Sequence, residues 1–308
     1  MPIREILFPT DFSEAAQFAG RYATLLGRKL GAALHVIHVP FIPLPAAPSE
    51  LTGLAEAYEA GRRRAEAQLK DLLQTEDWRG LRTRTAVTIG LIEDEILKAA
   101  QRADLVVMGT HGRTGIARVM LGSVTEKVVR TVPCPVLTVR HPEVKVELPW
   151  GGVLTGRRKL SETASLQRIL IPLDGSPLAE SVLPAVRELA RPFGAALTLL
   201  RVIPPYLSPS ARPDEKVSAR DRAEVEAYLR TTQQTLQEAG MGVEIVVRVG
   251  DPAREILDYA EAGEIDLIAL ATHGRSGLNR WLLGSVAEKV LRGSALPVLL
   301  YRAWCQVK

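Results

Sequence analysis

Two aspartates of this sequence stand where a carboxylate could bind a sugar. Asp11 follows the apolar run Ile6-Leu7-Phe8, and Asp174 follows a similar run in the second half of the chain. A carboxylate at the carboxyl end of a buried strand can accept hydrogen bonds from ribose hydroxyls. The alternative is a turn-forming or helix-capping role, which also favours Asp. Because Ser13 and Ser176 are the better predicted helix caps, we expect both aspartates to be left available for a ligand.

A glycine-rich loop follows the later apolar run Leu105-Val106-Val107. It consists of Gly109-Thr110-His111-Gly112, then nine residues, then Gly122-Ser123. Glycines permit close backbone approach to a ligand, and the N–H groups and dipole of a helix start favour phosphate oxygens. The segment Ser123-Val124-Thr125-Glu126 fits a capping box, so Ser123 is predicted to start a helix and to cap it with its hydroxyl. The alternative is a mobile loop followed by a capped helix.

The loop also carries charged side chains. Arg113 and Arg118 could neutralise outer phosphates, although solvated loop arginines are an equally good interpretation. His111 is predicted to shape the loop by a hydrogen bond, because no cluster of metal ligands surrounds it. The sequence contains no P-loop, no dinucleotide-binding glycine motif and no nucleophile elbow. We therefore predict a nucleotide cradle without catalytic residues and without metal ligands from the protein.

Composition narrows the class of protein. With 46% hydrophobic and 24% charged residues, the chain is typical of globular proteins. A formal charge of only +4 and 5% aromatic residues argue against a nucleic-acid partner. The two cysteines, Cys134 and Cys305, form no C-x-x-C pair and fit a reducing cytoplasm. We expect no membrane association, because neither a signal-like N-terminus nor a long apolar run is found.

The chain repeats itself after about 160 residues, the length of a whole domain. The segment from Met108 to Arg130 matches the segment from Leu270 to Arg292 at fourteen of twenty-three positions. Other segments of the two halves match in the same order. The intervening stretch is rich in Pro, Gly and charge, which is typical of a linker. We predict a first domain over residues 1–141, a linker over 142–166 and a second domain over 167–304.

Short apolar runs alternate with longer amphipathic segments within each half. The runs have the character of buried strands, whereas apolar residues recur at helical spacing from Leu51 to Leu72 and from Val225 to Leu236. Such an order predicts a parallel sheet covered by helices on both faces. Ligands bind to sheets of this kind beyond the carboxyl ends of the strands, where the strand order reverses.

These features together resemble the universal stress protein family. The resemblance rests on the Asp after the first strand, on G-x-x-G, nine residues and G-[ST] after the fourth, and on a final Pro-Val strand. It implies two tandem Rossmann-like α/β domains of the adenine nucleotide alpha hydrolase-like type, each a five-stranded parallel sheet with helices on both faces. It also implies that the two domains pair through their last strands, as a dimer fused into one chain.

The nucleotide-binding branch of that family implies a site in each half. The Asp would contact ribose, backbone at Val39 would contact adenine, and the glycines and helix start would surround ribose and phosphates. The first site comprises Pro9, Thr10, Asp11, Val39, Met108, Gly109, His111, Gly112, Arg113, Gly122, Ser123, Val124 and Thr125. The second comprises Pro172, Leu173, Asp174, Val202, Ala271, Gly274, Arg275, Gly284, Ser285 and Val286. Ala271 replaces the first glycine, and its methyl group could crowd the ribose, which leaves occupancy of the second site open.

The expected function is binding of ATP, or of ADP or AMP, by a cytoplasmic stress-response or regulatory protein. Mg²⁺ or Mn²⁺ would be held through phosphate oxygens. Two alternatives stay open: a nucleotide-independent interaction or scaffold protein, and a slow ATPase. For hydrolysis, Arg113 and His111 are the nearby candidates to orient water. Whether the fused pair forms a further homodimer is also left open.

Overall fold

Strands and helices alternate in the first half of the chain, as predicted. The computed structural model describes residues 2–41, 54–110, 121–141, 146–147, 153–154, 164–205, 218–272 and 283–302. The strands of the first half are β1 (Glu5–Pro9), β2 (Ala33–His38), β3 (Thr83–Val87), β4 (Leu105–Gly109) and β5 (Val136–Val139). Its helices are α1 (Glu14–Leu30), α2 (Leu54–Gln74), α3 (Ile92–Ala100) and α4 (Ser123–Thr131).

The second half repeats this order. Its strands are β8 (Arg168–Pro172), β9 (Ala196–Ile203), β10 (Val243–Val249), β11 (Leu267–Thr272) and β12 (Val298–Arg302). Its helices are α5 (Pro177–Glu180), α6 (Leu183–Ala190), α7 (Ala219–Glu238), α8 (Pro252–Ala262) and α9 (Ser285–Gly293). Between the halves, β6 (Val146–Glu147) pairs antiparallel with β7 (Val153–Leu154). The sequence did not indicate this short pair within the predicted linker.

Both halves contribute to one ten-stranded sheet of order β10-β9-β8-β11-β12-β5-β4-β1-β2-β3. Each half is parallel and has the order third, second, first, fourth and fifth strand. The halves meet where β12 pairs antiparallel with β5, and the Thr138 hydroxyl donates across this seam to the Val298 carbonyl at 3.1 Å. Pairing through the last strands, expected from the family resemblance, is therefore confirmed within this chain.

The core lies on both faces of the sheet. One apolar cluster packs α1, α2, α6 and α7 against the strands, and a second packs α3, α4, α8 and α9 against the opposite face. Because the strands are covered on both sides, they are continuous apolar runs rather than alternating ones. Each fully buried side chain of Leu or Phe size contributes about 1.5–3 kcal/mol. None of the described helices combines the length and apolar character that a bilayer span requires.

The helix after the first strand differs between the halves. Both copies start at the predicted serine: the Ser13 hydroxyl accepts from the Ala16 N–H at 3.2 Å, and the Ser176 hydroxyl accepts from the Ala179 N–H at 3.1 Å. α1 then continues for 17 residues, whereas the second copy is divided into α5 and α6. Pro184, in the first turn of α6, has no N–H to donate to the preceding turn. Helix α5 therefore ends at Glu180 and does not continue into α6.

Candidate functional site

The carboxyl ends of β1 and β4 lie side by side, where the strand order of the first half reverses. β1 pairs with β2 on one side and with β4 on the other. The crevice at such a reversal is the usual ligand site of open α/β sheets. The turn bearing Asp11 follows β1, and Thr110 follows β4. The fold therefore brings two sequence-predicted segments together, and β8 and β11 repeat the arrangement in the second half.

The turn after β1 uses the aspartate for local hydrogen bonds. Oδ1 of Asp11 accepts from the Ser13 N–H at 3.0 Å and from the Ser13 hydroxyl at 2.6 Å. Oδ1 of Asp174 accepts from the N–H and hydroxyl of Ser176 at 2.9 and 2.5 Å. The sequence did not indicate these local bonds, and whether the carboxylates also accept from a ligand stays a prediction. A serine hydroxyl that accepts a hydrogen bond as a helix cap can also donate one. Here it donates to the carboxylate two residues earlier.

The carboxyl group of Asp174 has a pKa below its ordinary value. Partial desolvation by neighbouring atoms would by itself raise this pKa, but the Ser176 hydroxyl and N–H, together with the charge of Arg201, outweigh that effect. The group is therefore ionised at neutral pH and can accept hydrogen bonds. Since its pKa is lower in the folded chain, Asp174 stabilises the fold above the ordinary carboxyl pKa. This contribution is lost as the pH falls through the lower, folded-state pKa.

Helix α4 is tied to the end of β4 by two hydrogen bonds. The Gly122 N–H donates to the Thr110 carbonyl at 2.9 Å, and the buried Thr125 hydroxyl donates to the Gly109 carbonyl at 2.9 Å. The first N–H groups of an α-helix have no acceptor within the helix. Those of α4 are thus held at the carboxyl edge of the sheet, where the positive end of the helix dipole also favours an anion.

The predicted capping box at this helix start is wrong. Gly122 is the N-cap residue, no side chain caps the helix, and the exposed Ser123 is its first helical residue. Gly284 and Ser285 take the same places at α9. The Gly122 N–H donates to the Thr110 carbonyl. The cap of α4 therefore lies one residue before Ser123, where the motif predicts it. The start of the helix at Ser123 is confirmed, but its hydroxyl is not the cap.

Apolar residues line the same edge. Val39 and Met108 are buried and share one cluster with Leu121, and the half-buried Val124 packs against it. Their side chains are committed to the core, so the backbone of Val39 is what could meet an adenine ring. The remaining predicted residues of both walls are the half-buried Pro9 and Pro172 and the buried Thr10, Leu173 and Val202.

Part of the predicted glycine-rich loop lies outside the residues that the structure describes. His111, Gly112, Arg113, Gly274 and Arg275 lie outside the described residues, so their roles stay predictions. Over the ranges that are described, no group of three or more His, Cys, Asp or Glu side chains could hold a metal ion.

Two residues that shape this site were missed by sequence reasoning. Phe12 has a positive φ of 62°, and its ring lies 4.6 Å from the ring of His38. The signal that could have found Phe12 is the glycine at the matching place in the second half. Gly175 stands there, and glycine often marks a position with positive φ.

Comparison with known proteins identifies the family. The family model described as "Universal stress protein family" matches residues 2–140 and 165–302. The chain belongs to the universal stress protein family. Universal stress protein MJ0531 of Methanocaldococcus jannaschii is 35% identical over 147 residues, which cover 46% of this chain and 84% of that protein. Universal stress protein Slr1230 of Synechocystis sp. is 24% identical over 325 residues, which cover 97% of this chain and 100% of that protein.

Solved structures show the same tandem fold. A universal stress protein from Archaeoglobus fulgidus superposes with a TM-score of 0.71 at 22% identity, covering 97% of this chain and 98% of its own. A protein from Pseudomonas aeruginosa described as a putative universal stress protein reaches a TM-score of 0.65 at 18% identity, covering 97% and 93%. At these identities the likeness shows the fold, and this universal stress protein shares it over both halves.

The two halves of this universal stress protein differ in how the helix and strand at the site fit together. A Cβ atom placed on Gly109 would lie 3.1 Å from the carbonyl oxygen of Ala15 in α1. The first glycine of the loop is therefore needed for packing against α1, whatever its effect on a ligand. The second half has Ala271 at this position and Ala287 in place of Thr125. Because alanine has no hydroxyl, the second copy lacks the side-chain tie from helix to strand.

We expect Gly109→Ala to destabilise the fold by about 1–3 kcal/mol, the usual cost of overpacking. The added methyl group would push α1 away from β4, and the turn with Asp11 leads into α1, so the geometry of the candidate site should change as well. Urea unfolding measures the loss of stability. If a nucleotide binds at this edge of the sheet, calorimetric titration should show weaker binding for Gly109→Ala and stronger second-site binding for Ala271→Gly. Unchanged second-site affinity would show that the methyl group of Ala271 is not an obstacle.

Proposed function

We propose that this universal stress protein binds an adenine nucleotide, with ATP as the ligand to test first, at the carboxyl edge of the first half. The supporting observation is the tie between α4 and β4. It fixes the first turn of α4 to the end of β4, and the neighbouring strand β1 leads into the turn that carries Asp11. Amides for negative charge on one side and a carboxylate for hydroxyls on the other are what a nucleoside phosphate requires.

The ligand would extend from the end of β2 to the start of α4. Adenine would meet the backbone of Val39, with Pro9 and Thr10 on the same wall. The ribose hydroxyls would share the carboxylate of Asp11 with Ser13, because one carboxylate oxygen has more than one acceptor site. The phosphates would lie at Gly122 and Ser123. A divalent cation, Mg²⁺ or Mn²⁺, would neutralise charge while bound mainly to phosphate oxygens.

The second half would bind the same ligand more weakly. Asp174 is exposed, whereas Asp11 is half-buried, so a hydrogen bond to the ribose would face more competition from water. Ala287 also leaves the helix start of α9 without the hydroxyl tie that Thr125 provides in the first half, and Ala271 replaces the glycine that permits close packing of α1 there. A stoichiometry between one and two nucleotides per chain, with unequal affinities, is the expected calorimetric result.

Replacing Asp11 by alanine is the direct test. We expect Asp11→Ala to weaken ATP binding by about 1–3 kcal/mol, the usual cost of losing a hydrogen-bond partner in a buried site. Isothermal titration measures the change, and thermal unfolding checks the fold.

Ser13→Ala is the matched control, because it removes the hydroxyl that donates to Asp11 and leaves the carboxylate and the backbone N–H donor in place. It also removes the cap of α1, so thermal unfolding is measured for both variants. If Asp11→Ala keeps the native affinity, Asp11 is only a turn residue. If the native chain gives neither heat nor a thermal shift with millimolar ATP, the proposal fails. The nucleotide-independent interaction protein is then the better account.

A further inference from the structure

Phe12 has a backbone conformation that residues other than glycine rarely adopt. Its φ is 62°, in the left-handed region where Cβ comes too close to the following carbonyl oxygen. Such residues persist where the surrounding structure imposes the conformation, and they concentrate at functional sites. The matching residue of the second half, Gly175, has a φ of 79° without this penalty. In the first half, other contacts must therefore hold Phe12 in place.

Thr10 and His38 both contact Phe12, whose carbonyl oxygen also accepts a hydrogen bond from Nε2 of Gln17 at 3.2 Å. The Phe12 N–H donates to the Thr10 hydroxyl oxygen at 3.1 Å, and the Phe12 ring lies against the His38 ring at 4.6 Å and 38°. His38, at the end of β2, is buried, and its Nδ1 lies 2.7 Å from the Thr10 carbonyl oxygen. Because a carbonyl only accepts, Nδ1 carries the proton of this bond. We call Phe12, Thr10 and His38 together the Phe12 brace.

The Phe12 brace flanks Asp11, the residue that is proposed to contact the ribose. Asp11 lies between Thr10 and Phe12, so both of its peptide neighbours are fixed to the end of β2. The second half has no equivalent brace, since Leu173 has no hydroxyl and Gly175 has no ring. Both turns share a backbone bond to the second strand, from the Thr10 N–H to the Ile37 carbonyl at 2.9 Å and from the Leu173 N–H to the Leu200 carbonyl at 2.8 Å. In the second half the side-chain link is a hydrogen bond of 3.4 Å from Nη1 of Arg201 to the Leu173 carbonyl.

We propose that Phe12 and His38 are positioning residues, which hold Asp11 and Thr10 in the geometry that binds nucleotide before the ligand arrives. This inference rests on the proposed function. It makes the first half the tighter of the two sites, because its turn is already ordered. The strain at Phe12 is retained in the first half because the aromatic ring at this position completes the brace.

The expected size of the effect follows from population arithmetic. Apparent affinity falls in proportion to the fraction of molecules whose turn is in the binding geometry. If loss of the ring leaves about one molecule in ten in that geometry, affinity for ATP falls about tenfold. The ligand contacts themselves are unchanged, so the loss is one of pre-organisation.

The test compares Phe12→Asn with Phe12→Tyr, both in a chain whose second site is disabled by Gly284→Asp. Asn tolerates the left-handed conformation but lacks the ring, whereas Tyr keeps the ring. We expect ATP titration to give about tenfold weaker binding for Phe12→Asn and native binding for Phe12→Tyr. Equal affinities of both variants and the parent would overturn the inference, whatever their thermal stabilities.

A second measurement needs no nucleotide. Hydrogen exchange of the Phe12 and Ser13 amides, which donate to Thr10 and Asp11, should be faster in Phe12→Asn and native in Phe12→Tyr. Equal protection in all three proteins would refute the Phe12 brace. If the parent binds no ATP although Phe12→Asn speeds exchange, the proposed function fails and the structural role of the brace stands. Failure of the brace and failure of the function are thus distinguishable.

Discussion

Gly122→Asp is expected to abolish nucleotide binding in the first half without damaging the fold. Gly122 is the N-cap of α4, with φ −58° and ψ 143°, a conformation that Asp adopts readily and a position where Asp is favoured. Its carboxylate would accept the first-turn amides and repel phosphate. Like charges about 4 Å apart repel by about 4 kcal/mol at an effective dielectric constant near 20. Affinity for ATP should therefore fall about a thousandfold, while thermal stability stays equal or rises slightly.

Gly122→Asn separates the two causes of this effect. Asn caps a helix as well as Asp does but carries no charge, so it competes for the amides without repelling phosphate. We expect its affinity for ATP to lie between those of the native chain and Gly122→Asp. Gly284→Asp should abolish only the second, weaker site. Native affinity in Gly122→Asp would mean that phosphate does not lie at α4, and the proposed orientation of the ligand would be wrong.

Arg140→Ala is expected to cost at least about 3 kcal/mol of folding free energy, typical of truncating a large buried side chain. Arg140 follows β5, is 2% exposed, and reaches across the seam to the other half. Its Nη2 donates to the carbonyls of Arg292 and Leu291 at the end of α9, at 3.0 and 3.5 Å. A cation there also interacts favourably with the helix dipole. Urea unfolding measures the loss.

Arg140→Met tests whether packing or charge matters at this seam. Burial lowers the pKa of Arg140 to about 10, and its Nε and Nη1 have no hydrogen-bond partner among the residues described. The guanidinium is thus desolvated with incomplete compensation, and an apolar side chain of similar length should replace it at a cost below about 1.5 kcal/mol. A loss as large as that of Arg140→Ala would show that the charge itself holds the seam.

Charged pairs at the same seam are expected to contribute less. Arg292 of α9 lies 3.6 Å from Glu126 of α4, so this pair joins the two halves. Each partner also has a pair within its own helix: Arg292 with Glu288 at 3.1 Å, and Glu126 with Arg130 at 2.9 Å. These side chains are partly exposed, and exposed ion pairs contribute about 0.2–1 kcal/mol each. The ion pairs therefore contribute less to the contact between the halves than the buried Arg140 does.

The parts of the fold that depend on local sequence were predictable. The apolar runs form strands, and Ser13 and Ser176 cap helices, as predicted. These features could be predicted because periodicity and capping involve residues only a few positions apart. The repeat likewise predicted two copies of one domain. The fold class and the segments that meet at the candidate site followed from these features.

Tertiary contacts decided what the local pattern could not. The cap of α4 lies at Gly122, because its N–H bonds to Thr110 at the end of β4. The conformation of Phe12 depends on His38 from another strand, and the burial of Arg140 depends on α9 from the other half. The sequence by itself thus determined the elements and the chemistry at their ends. The folded chain determined which atoms meet, since those contacts join residues that are distant in sequence.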